Sequence, residues 1–268
     1  MHPIERLRYV ARSSGAPPAA VARESIGALM TFQDDPRGLL NACRRLVSRH
    51  PRSGPMIWLA SRVLTAGDPR AEARSAAAEL DGDATSDELS YALADDATVV
   101  VIGWPEVIGR ALVRRGDIEV LTIDAHGEGS GFARRLEQAD ACAAAIPCEG
   151  VAAAVASSDV VLLEASAIGP QQFVAVAGSF AAAAVARALD VPVWLVGGVG
   201  RLLPGRVFDA VAARVGAVTE PWNDEDELVP IDFVDHIVGP AGVLPSAQAL
   251  RDCSCPIAPE LLGIIDDG

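Results

Sequence analysis

The spacing of apolar residues changes along the chain. Over about the first ninety residues apolar side chains recur at helical intervals, and strand patterns are almost absent. The first predicted helix carries Ile4, Leu7, Val10 and Ala11, and the second carries Val21, Ile26, Leu29 and Met30. The other four predicted helices span Leu39–Val47, Met56–Leu64, Pro69–Leu80 and Ser86–Leu93. Pro17-Pro18, Asp35-Pro36 and Gly54-Pro55 mark helix starts. We therefore expect a helical N-terminal domain over residues 1–94.

From Asp95 onward, short apolar runs alternate with helical stretches, the rhythm of successive βαβ units. The predicted strands are Thr98–Ile102, Glu119–Ile123, Ala141–Ile146, Val160–Glu164, Val191–Val196 and a short segment at Ala217. The predicted helices are Glu106–Arg115, Ser130–Gln138, Gly150–Ser157 and Gly178–Leu189. Strands rich in Val, Ile and Leu without alternation suit a sheet that is covered on both faces. The pattern predicts an α/β fold, with a Rossmann-like parallel sheet domain over residues 95–268.

Charge and composition narrow the classes of function. The formal net charge of −14 repels phosphate backbones, so we expect no direct nucleic-acid partner. The chain contains no lysine, which excludes Schiff-base chemistry and a P-loop lysine. A GC-rich genome would also favour arginine and alanine, and acidity would also serve solubility. No apolar run reaches the length of a membrane span and no leader pattern opens the sequence, so we expect a cytoplasmic protein without membrane contact.

The five cysteines are scattered and odd in number, which favours reduced thiols over a disulfide framework. Cys253-Ser254-Cys255 forms the one close pair, but a zinc site would need two more nearby ligands and a longer spacing. The sequence therefore predicts no metal and no cofactor.

Ligands of open parallel sheets bind beyond the carboxyl ends of the strands, where helix N-termini attract anions. Five loops follow predicted strands in this way: Gly103–Glu106, Asp124–Gly131, Pro147–Gly150, Ala165–Pro170 and Gly197–Arg201. The glycine-rich Asp124–Gly131 loop is a candidate phosphate cradle, although it matches no nucleotide-binding fingerprint. The glycines of Gly197–Gly200 would serve a tight turn equally well.

Several polar residues in these loops are candidates for chemistry. His126 is a candidate acid, base or phosphate ligand, or else a solvated surface histidine. Asp124 beside it would alternatively cap the following turn. Glu164 ends a very apolar strand, so it must face a cleft or pair with an arginine. Ser166 and Ser179 lack a G-x-S-x-G setting, which favours helix capping over a nucleophilic role.

Several segments resemble those of one known superfamily. Asp159–Ile168 resembles a strand ending in G-A-D-x-I, and Gly178-Ser179-Phe180 resembles a G-T-[YF] motif. Val191–Val196 is similar to V-P-V-Y-V-x, and the tail over Leu228–Val243 resembles a V-P-x-x-x-[IV] ending. Arg49-His50-Pro51-Arg52 looks like an R-P segment. In this order the features resemble the superfamily of translation initiation factor 2B alpha, beta and delta subunits, methylthioribose phosphate isomerase and ribose bisphosphate isomerase, with this chain as a divergent member.

The departures from that superfamily concern its catalytic positions. The resemblance assigns a catalytic cysteine to Gly103 and a catalytic aspartate to Ser166, neither of which transfers protons. A substrate-binding N-K pair corresponds to Ala175-Val176, and an E-x-R-P loop to Asp124–Gly127. These losses imply that the isomerase site has been abandoned. The remaining candidate ligand-binding residues are Gly103, Asp124, His126, Glu164, Ser166, Gly178 and Ser179.

The resemblance implies a non-catalytic regulatory or ligand-sensing protein that binds a phosphorylated sugar or nucleotide. The alternative is a sugar-phosphate isomerase with a rearranged site, in which Asp124, His126 or Glu164 acts as acid or base and the helix after Gly178 holds phosphate. A third hypothesis, a nucleotide-dependent oxidoreductase, is supported by the fold class alone. The resemblance also implies a homodimer or higher oligomer, for which the apolar tail Val229–Val243 would supply the contact surface.

Overall fold

A computed structural model describes residues 17–266 of the chain. The helix predicted around Ile4, Leu7, Val10 and Ala11 lies outside these residues. The helices are α1 (Pro18–Leu29), α2 (Pro36–Arg49), α3 (Gly54–Thr65), α4 (Pro69–Asp81), α5 (Thr85–Ala92), α6 (Glu106–Leu112), α7 (Gly129–Glu137), α8 (Val151–Ala156), α9 (Ser179–Ala188), α10 (Gly205–Gly216), α11 (Ser246–Ala249) and α12 (Pro259–Asp266). The strands are β1 (Thr98–Ile102), β2 (Glu119–Ile123), β3 (Cys142–Ile146), β4 (Val160–Ile168), β5 (Gln172–Val176), β6 (Val193–Val196), β7 (Asp226–Pro230), β8 (His236–Gly239) and β9 (Gly242–Pro245).

The helix starts follow from proline and from capping side chains. Pro18, Pro36, Pro55 and Pro69 occupy the first or second position of their helices, where a missing N–H costs no hydrogen bond. Asp68 caps α4 by accepting from the N–H groups of Arg70 and Ala71. The helices predicted between Val21 and Leu189 are all present, with ends that differ by a few residues at most.

The central sheet has the order β3-β2-β1-β4-β6-β8-β9, and all pairs from β3 to β8 are parallel. This arrangement confirms the predicted fold class, a helical N-terminal region followed by a mostly parallel α/β sheet. Apolar clusters cover both faces of the sheet, one formed with α8 and α9 and the other with α5, α6 and α7. The carboxyl ends of the parallel strands therefore share one edge, as a ligand cleft requires.

Three details of the predicted sheet are wrong. Strand β4 does not end at Glu164 but continues to Ile168, where its second half pairs antiparallel with β5, and β5 pairs antiparallel with β7. Most of the predicted loop Ala165–Pro170 is therefore strand. Ala217 forms no strand, because it follows the last turn of α10. Strand β9 also runs antiparallel, to β8.

A third apolar cluster joins the N-terminal helices to the rest of the chain. Buried side chains of α1 to α4 pack against α10 and α12, with Phe208 and Leu261 among the contributors. The predicted boundary after residue 94 is thus crossed by a shared core. Along the tail, Val229, Ile237 and Val238 are buried in the chain's own core, so these three side chains are not exposed for a contact between copies. None of the described helices is long and apolar enough to cross a bilayer.

Candidate functional site

A cleft opens beyond the ends of β1 and β2, beside the point on β4 where its parallel pairing ends at Glu164. Its inner part has a volume of about 130 Å³, and its outer part about 700 Å³. The inner part is lined by Pro18, Ile102, Trp104, Pro105, Glu128, Glu164, Ala165, Ser166, Val176, Ser179 and Arg201. The outer part shares Pro18, Trp104, Glu128, Glu164 and Val176 with it and adds Pro17, Glu106, His126, Arg135, Glu225 and Asp226. The five shared residues make the two parts one continuous cleft.

A buried ion pair lies in the wall of the inner cleft. Arg201, 2% exposed, directs Nη1 to Glu164 Oε1 at 3.0 Å and to the Ala165 carbonyl oxygen at 2.5 Å. The other Glu164 oxygen accepts from the N–H groups of Val107 and Ile108, at 2.8 and 3.1 Å, in the first turn of α6. Glu164 is thus held by three hydrogen bonds, and the charge of each partner compensates that of the other.

The ion pair leaves one edge of the Arg201 guanidinium without a partner. Within residues 17–266, Nε and Nη2 are buried and make no hydrogen bond. These two nitrogens form the side of the guanidinium fork that binds two oxygen atoms of one carboxylate or phosphate. Burying unsatisfied donors costs about 1–3 kcal/mol each, so this edge is the least satisfied polar feature of the cleft wall.

Side chains of the chain already occupy the anion-binding positions of two helices at this edge. Asp124 accepts from the Ser130 N–H and hydroxyl, both at 3.0 Å, at the start of α7. These hydrogen bonds hold the pKa of Asp124 below its usual range. Glu227 accepts from the Phe180 N–H at 2.7 Å at the start of α9. Because the helix dipole and free N–H groups attract one anion at a time, an external phosphate would compete with these carboxylates.

The predicted site residues fall into two groups. Glu164, Ser166 and Ser179 line the inner cleft, His126 lines the outer cleft, and an ideal Cβ on Gly103 would lie 3.8 Å from Val176 Cγ2. Asp124 and Gly178 instead belong to the helix starts beside the cleft. Ser179 is buried and donates to the Val176 carbonyl oxygen at 2.6 Å. His126 is exposed, in a left-handed conformation with φ 52°.

Gly103 also has a left-handed backbone, with φ 63°. It makes the turn that leads from β1 toward α6, a conformation that residues with a Cβ adopt at a cost. The position that the resemblance assigns to a catalytic cysteine therefore uses the conformational freedom of glycine.

The outer cleft is rich in carboxylates. Its lining contains five acidic side chains but only two basic ones, Arg135 and His126. The acidic residues are Glu106, Glu128, Glu164, Glu225 and Asp226. Burial raises the pKa of Glu106 and of Asp226. Asp226 is paired with Arg52 at 3.1 Å and Glu106 Oε1 with Arg110 at 3.4 Å, whereas Glu106 Oε2 is buried without a hydrogen-bond partner among the described residues. The outer cleft is therefore better suited to binding a cationic group than an anion.

The other predicted loops lie elsewhere. Gly197–Gly200 lines a separate cavity of about 430 Å³ near Trp58 and Gly239, and only Arg201 at the end of that loop reaches the cleft. Cys148 in the Pro147–Gly150 loop donates to the Asp124 carbonyl oxygen at 3.4 Å. The described residues contain no cluster of three or more His, Cys, Asp or Glu able to hold a metal ion.

From the sequence, Arg201, Glu106 and Glu128 were named only as members of loops, and Glu227 was not named. Arg201 lies 37 residues from Glu164, and Glu227 lies 47 residues from Phe180. The signal that could have found Arg201 is its place at the end of a glycine-rich loop on the strand next to β4, opposite a carboxylate that needs a partner.

These features define the class of structure: a helical N-terminal region and a mostly parallel sheet with the fold of translation initiation factor 2B subunits. Translation initiation factor eIF-2B of Pyrococcus horikoshii superposes with a TM-score of 0.76 over 92% of this chain and 98% of that one, at 12% identity. The beta subunit from Chaetomium thermophilum gives 0.70 over 97% and 91%, at 15% identity. A chain of the tetrameric beta2-delta2 complex from C. thermophilum gives 0.72 over 92% and 92%, at 16% identity.

No protein-family model and no curated protein matches the chain. Sequence identities of 12–16% support a shared fold but not a shared function. The function must therefore be argued from the cleft.

Proposed function

We propose that this chain is a non-catalytic, ligand-sensing protein built on the translation initiation factor 2B-like fold. One observation carries the proposal: Glu164 and Asp124, two of the three candidate acid or base residues predicted from the sequence, are engaged in holding the structure. Glu164 is bound by Arg201 and by α6, and Asp124 caps α7. The two positions that the resemblance assigns to proton transfer are Gly103 and Ser166. A base that is already charge-paired and hydrogen-bonded is a poor acceptor for a substrate proton.

The ligand is expected to carry an anionic group. The resemblance implies a phosphorylated sugar or nucleotide. Arg201 in the wall of the inner cleft is the cation that would bind its phosphate, and cleft side chains would have to move first, because Nε and Nη2 are buried. The N-terminus of α9, the other candidate for phosphate, is occupied by Glu227. A phosphate there would have to displace that carboxylate.

One observation favours the alternative, an isomerase with a rearranged site. Burial raises the pKa of Glu106, and its Oε2 has no hydrogen-bond partner among the described residues, although its Oε1 pairs with Arg110 at 3.4 Å; the raised pKa and the unpartnered oxygen suit a general base. The sugar would then have to lie in the outer cleft, where Glu106 and Glu128 are found.

We also propose that the chain assembles with itself. A chain of the tetrameric beta2-delta2 complex shares its fold. Large apolar side chains are exposed at Trp222 and Tyr91, 77% and 86% accessible, and at Leu189, 47% accessible. Light scattering should give at least a dimer at high protein concentration, and a strict monomer would refute this part of the proposal.

The test of the ligand-sensing role combines binding with turnover. Ribose phosphates and nucleotides are added to the purified chain, and both the melting temperature and isomerisation are recorded. A ligand at about a hundredfold its Kd should add about 2.7 kcal/mol of stability, which raises the melting temperature by several degrees. The proposal expects such a rise without turnover. Turnover that the Glu106→Gln substitution abolishes would establish the isomerase. If none of the ribose phosphates and nucleotides raises the melting temperature or is isomerised, phosphorylated compounds are excluded as ligands.

A further inference from the structure

An apolar cavity lies on the other side of the Gly197–Arg201 loop from the cleft. Its volume is about 430 Å³, and it shares no lining residue with either part of the cleft. Ser166 and Arg201 line the cleft, whereas Ile168 and Leu202, one or two residues further along the chain, line the cavity. The Ile168 N–H donates to the Arg201 carbonyl oxygen at 2.7 Å, so the two segments form a hydrogen-bonded partition between the two spaces.

The cavity lies where β6 and β8 end. Gly197 follows the last residue of β6 and Pro240 follows the last residue of β8, and both line the cavity. Ligands of open parallel sheets bind beyond the carboxyl ends of the strands. Protein interiors contain few voids larger than a water molecule, whereas ligand pockets have volumes of about 300–1,000 Å³. The position and the size of the cavity therefore match those of a ligand site.

The loop that forms one wall of the cavity is held in place by its neighbours. Asp83 Oδ2 accepts from the Val199 N–H at 2.9 Å. The first turn of α3 packs closely on the same loop, because an ideal Cβ on Gly54 would lie 2.9 Å from Arg201 Cα and 3.0 Å from the Gly200 carbonyl oxygen. Ligand pockets are usually formed largely before the ligand arrives. This wall is fixed in the same way.

The accessible lining of the cavity is mostly apolar. Its partly exposed apolar side chains are Val199, Leu202, Leu244 and Ala249. None of the described residues that line it is basic, and its ionisable side chains are two carboxylates, Glu79, which pairs with Arg62 at 2.7 Å, and Asp252, which is exposed. An anion would find no cation among the lining residues, and a strongly polar ligand would lose its hydrogen bonds to water against the apolar walls.

The volume sets the size of the ligand. An apolar cavity of about 150 Å³ takes up one benzene ring. The cavity of about 430 Å³ therefore has room for about three rings of that size.

We infer that this cavity is a second ligand site, which binds an uncharged, predominantly apolar molecule of about two or three rings. This inference goes beyond the proposed function and does not depend on it, because the cavity and the cleft share no lining residue. It involves binding alone and no chemical step.

The test titrates the full chain with N-phenyl-1-naphthylamine, an uncharged compound whose fluorescence rises when it leaves water. Its matched comparison is 8-anilinonaphthalene-1-sulfonate, which has the same ring skeleton and adds a negatively charged sulfonate. The inference expects saturable binding of the uncharged compound to one site per chain, together with a higher melting temperature. The sulfonate should bind more weakly by about tenfold or more, because no cation in the lining compensates its charge.

Substitutions of alanine by phenylalanine locate the binding. Ala241, in the turn between β8 and β9, lines the cavity and is exposed, so Ala241→Phe adds a ring at the opening without overpacking the core. Affinity should fall by about tenfold or more, because the added ring occupies space that the ligand needs. Ala247→Phe is the matched control and should leave affinity unchanged, since Ala247 is exposed in α11 and does not line the cavity. Ala249→Phe, at a lining position of the same helix, is the second test and should also weaken binding.

Several results would overturn the inference. If neither N-phenyl-1-naphthylamine nor the smaller 2-naphthol binds saturably, the cavity does not take up apolar molecules. Full affinity in folded Ala241→Phe and Ala249→Phe would place the binding elsewhere, and tighter binding of the sulfonate would contradict the exclusion of anions. A lower melting temperature would mean that the compound binds the unfolded chain. All of these results leave the proposed function untouched, because the phosphorylated compounds test the cleft separately.

Discussion

The ion pair between Glu164 and Arg201 makes a strong prediction about stability. Glu164→Ala removes the partner of a guanidinium that is 2% exposed and an acceptor for the Val107 and Ile108 N–H groups. Breaking a buried pair from one side costs about 3–5 kcal/mol, because the remaining charge is left uncompensated. For a chain of this size, a loss of about 4 kcal/mol lowers the melting temperature by roughly 8–16 °C.

A double-mutant cycle separates the charge pair from the packing around it. Arg201→Met alone should also be strongly destabilising, since it leaves the Glu164 carboxylate without its cation. Glu164→Ala combined with Arg201→Met removes both charges and should recover most of the loss, leaving about 1 kcal/mol from the missing acceptor at α6. Stability is measured by urea unfolding monitored by circular dichroism.

The exposed pair Arg23 and Asp81 is the matched control, with side chains that are 45% and 56% accessible. Asp81→Ala should leave the unfolding midpoint unchanged, because solvent screens an exposed pair. A Glu164→Ala variant within about 1 kcal/mol of the parent, or a double variant as unstable as the sum of the single variants, would refute the reasoning.

Three further predictions concern the surroundings of the cleft. Gly103→Ala should cost about 1 kcal/mol in urea unfolding, since φ is 63° there, whereas Gly216→Ala, in a helix with nothing near its added Cβ, should not destabilise the chain. Glu227→Ala should cost about 1 kcal/mol by uncapping α9 and should create measurable binding of inorganic phosphate; calorimetry without a phosphate signal would contradict the capping role. Burial raises the folded-state pKa of Glu106, so its protonation stabilises the fold below the unfolded value of about 4.3, and that stability is lost as pH rises through the folded value. Glu106→Gln should therefore lose less stability than the parent between pH 4 and pH 7, and parallel pH profiles would show that Glu106 is not perturbed.

The predicted helices from Val21 to Leu189 and the first predicted strands, except the one at Ala217, were confirmed because they depend on local signals. Val99–Ile102 is a continuous apolar run, and Glu119–Ile123 contains Val120, Leu121 and Ile123; both predicted segments match observed strands. Strand β4 extends beyond its prediction because Ala165–Ile168 gains its antiparallel partner from β5, which is in turn paired with β7. Such pairing depends on residues far apart in sequence, and no local sequence pattern predicts it.

The candidate site was less predictable than the fold. The position of Glu164 at the end of an apolar strand led to the expectation of either a cleft or an arginine partner, and the structure shows both together. The identity of that arginine could not be read from the sequence, because glycine-rich loops at several strand ends were equivalent candidates. Likewise, Gly178 and Ser179 resemble a phosphate-binding helix start, but occupation of that start by Glu227 depends on the pairing of β7 with β5.

The central claim, that the cleft binds a ligand without transforming it, is tested most directly by hydrogen exchange in deuterium oxide. Isomerisation of an aldose phosphate to a ketose through an enediol removes the proton on the carbon next to the carbonyl group, so a base that equilibrates with solvent introduces deuterium at that carbon. Ribose phosphates are incubated with the chain and followed by proton nuclear magnetic resonance. We predict no deuterium incorporation above the rate without protein. Incorporation that depends on the chain and disappears in Glu106→Gln would contradict the account.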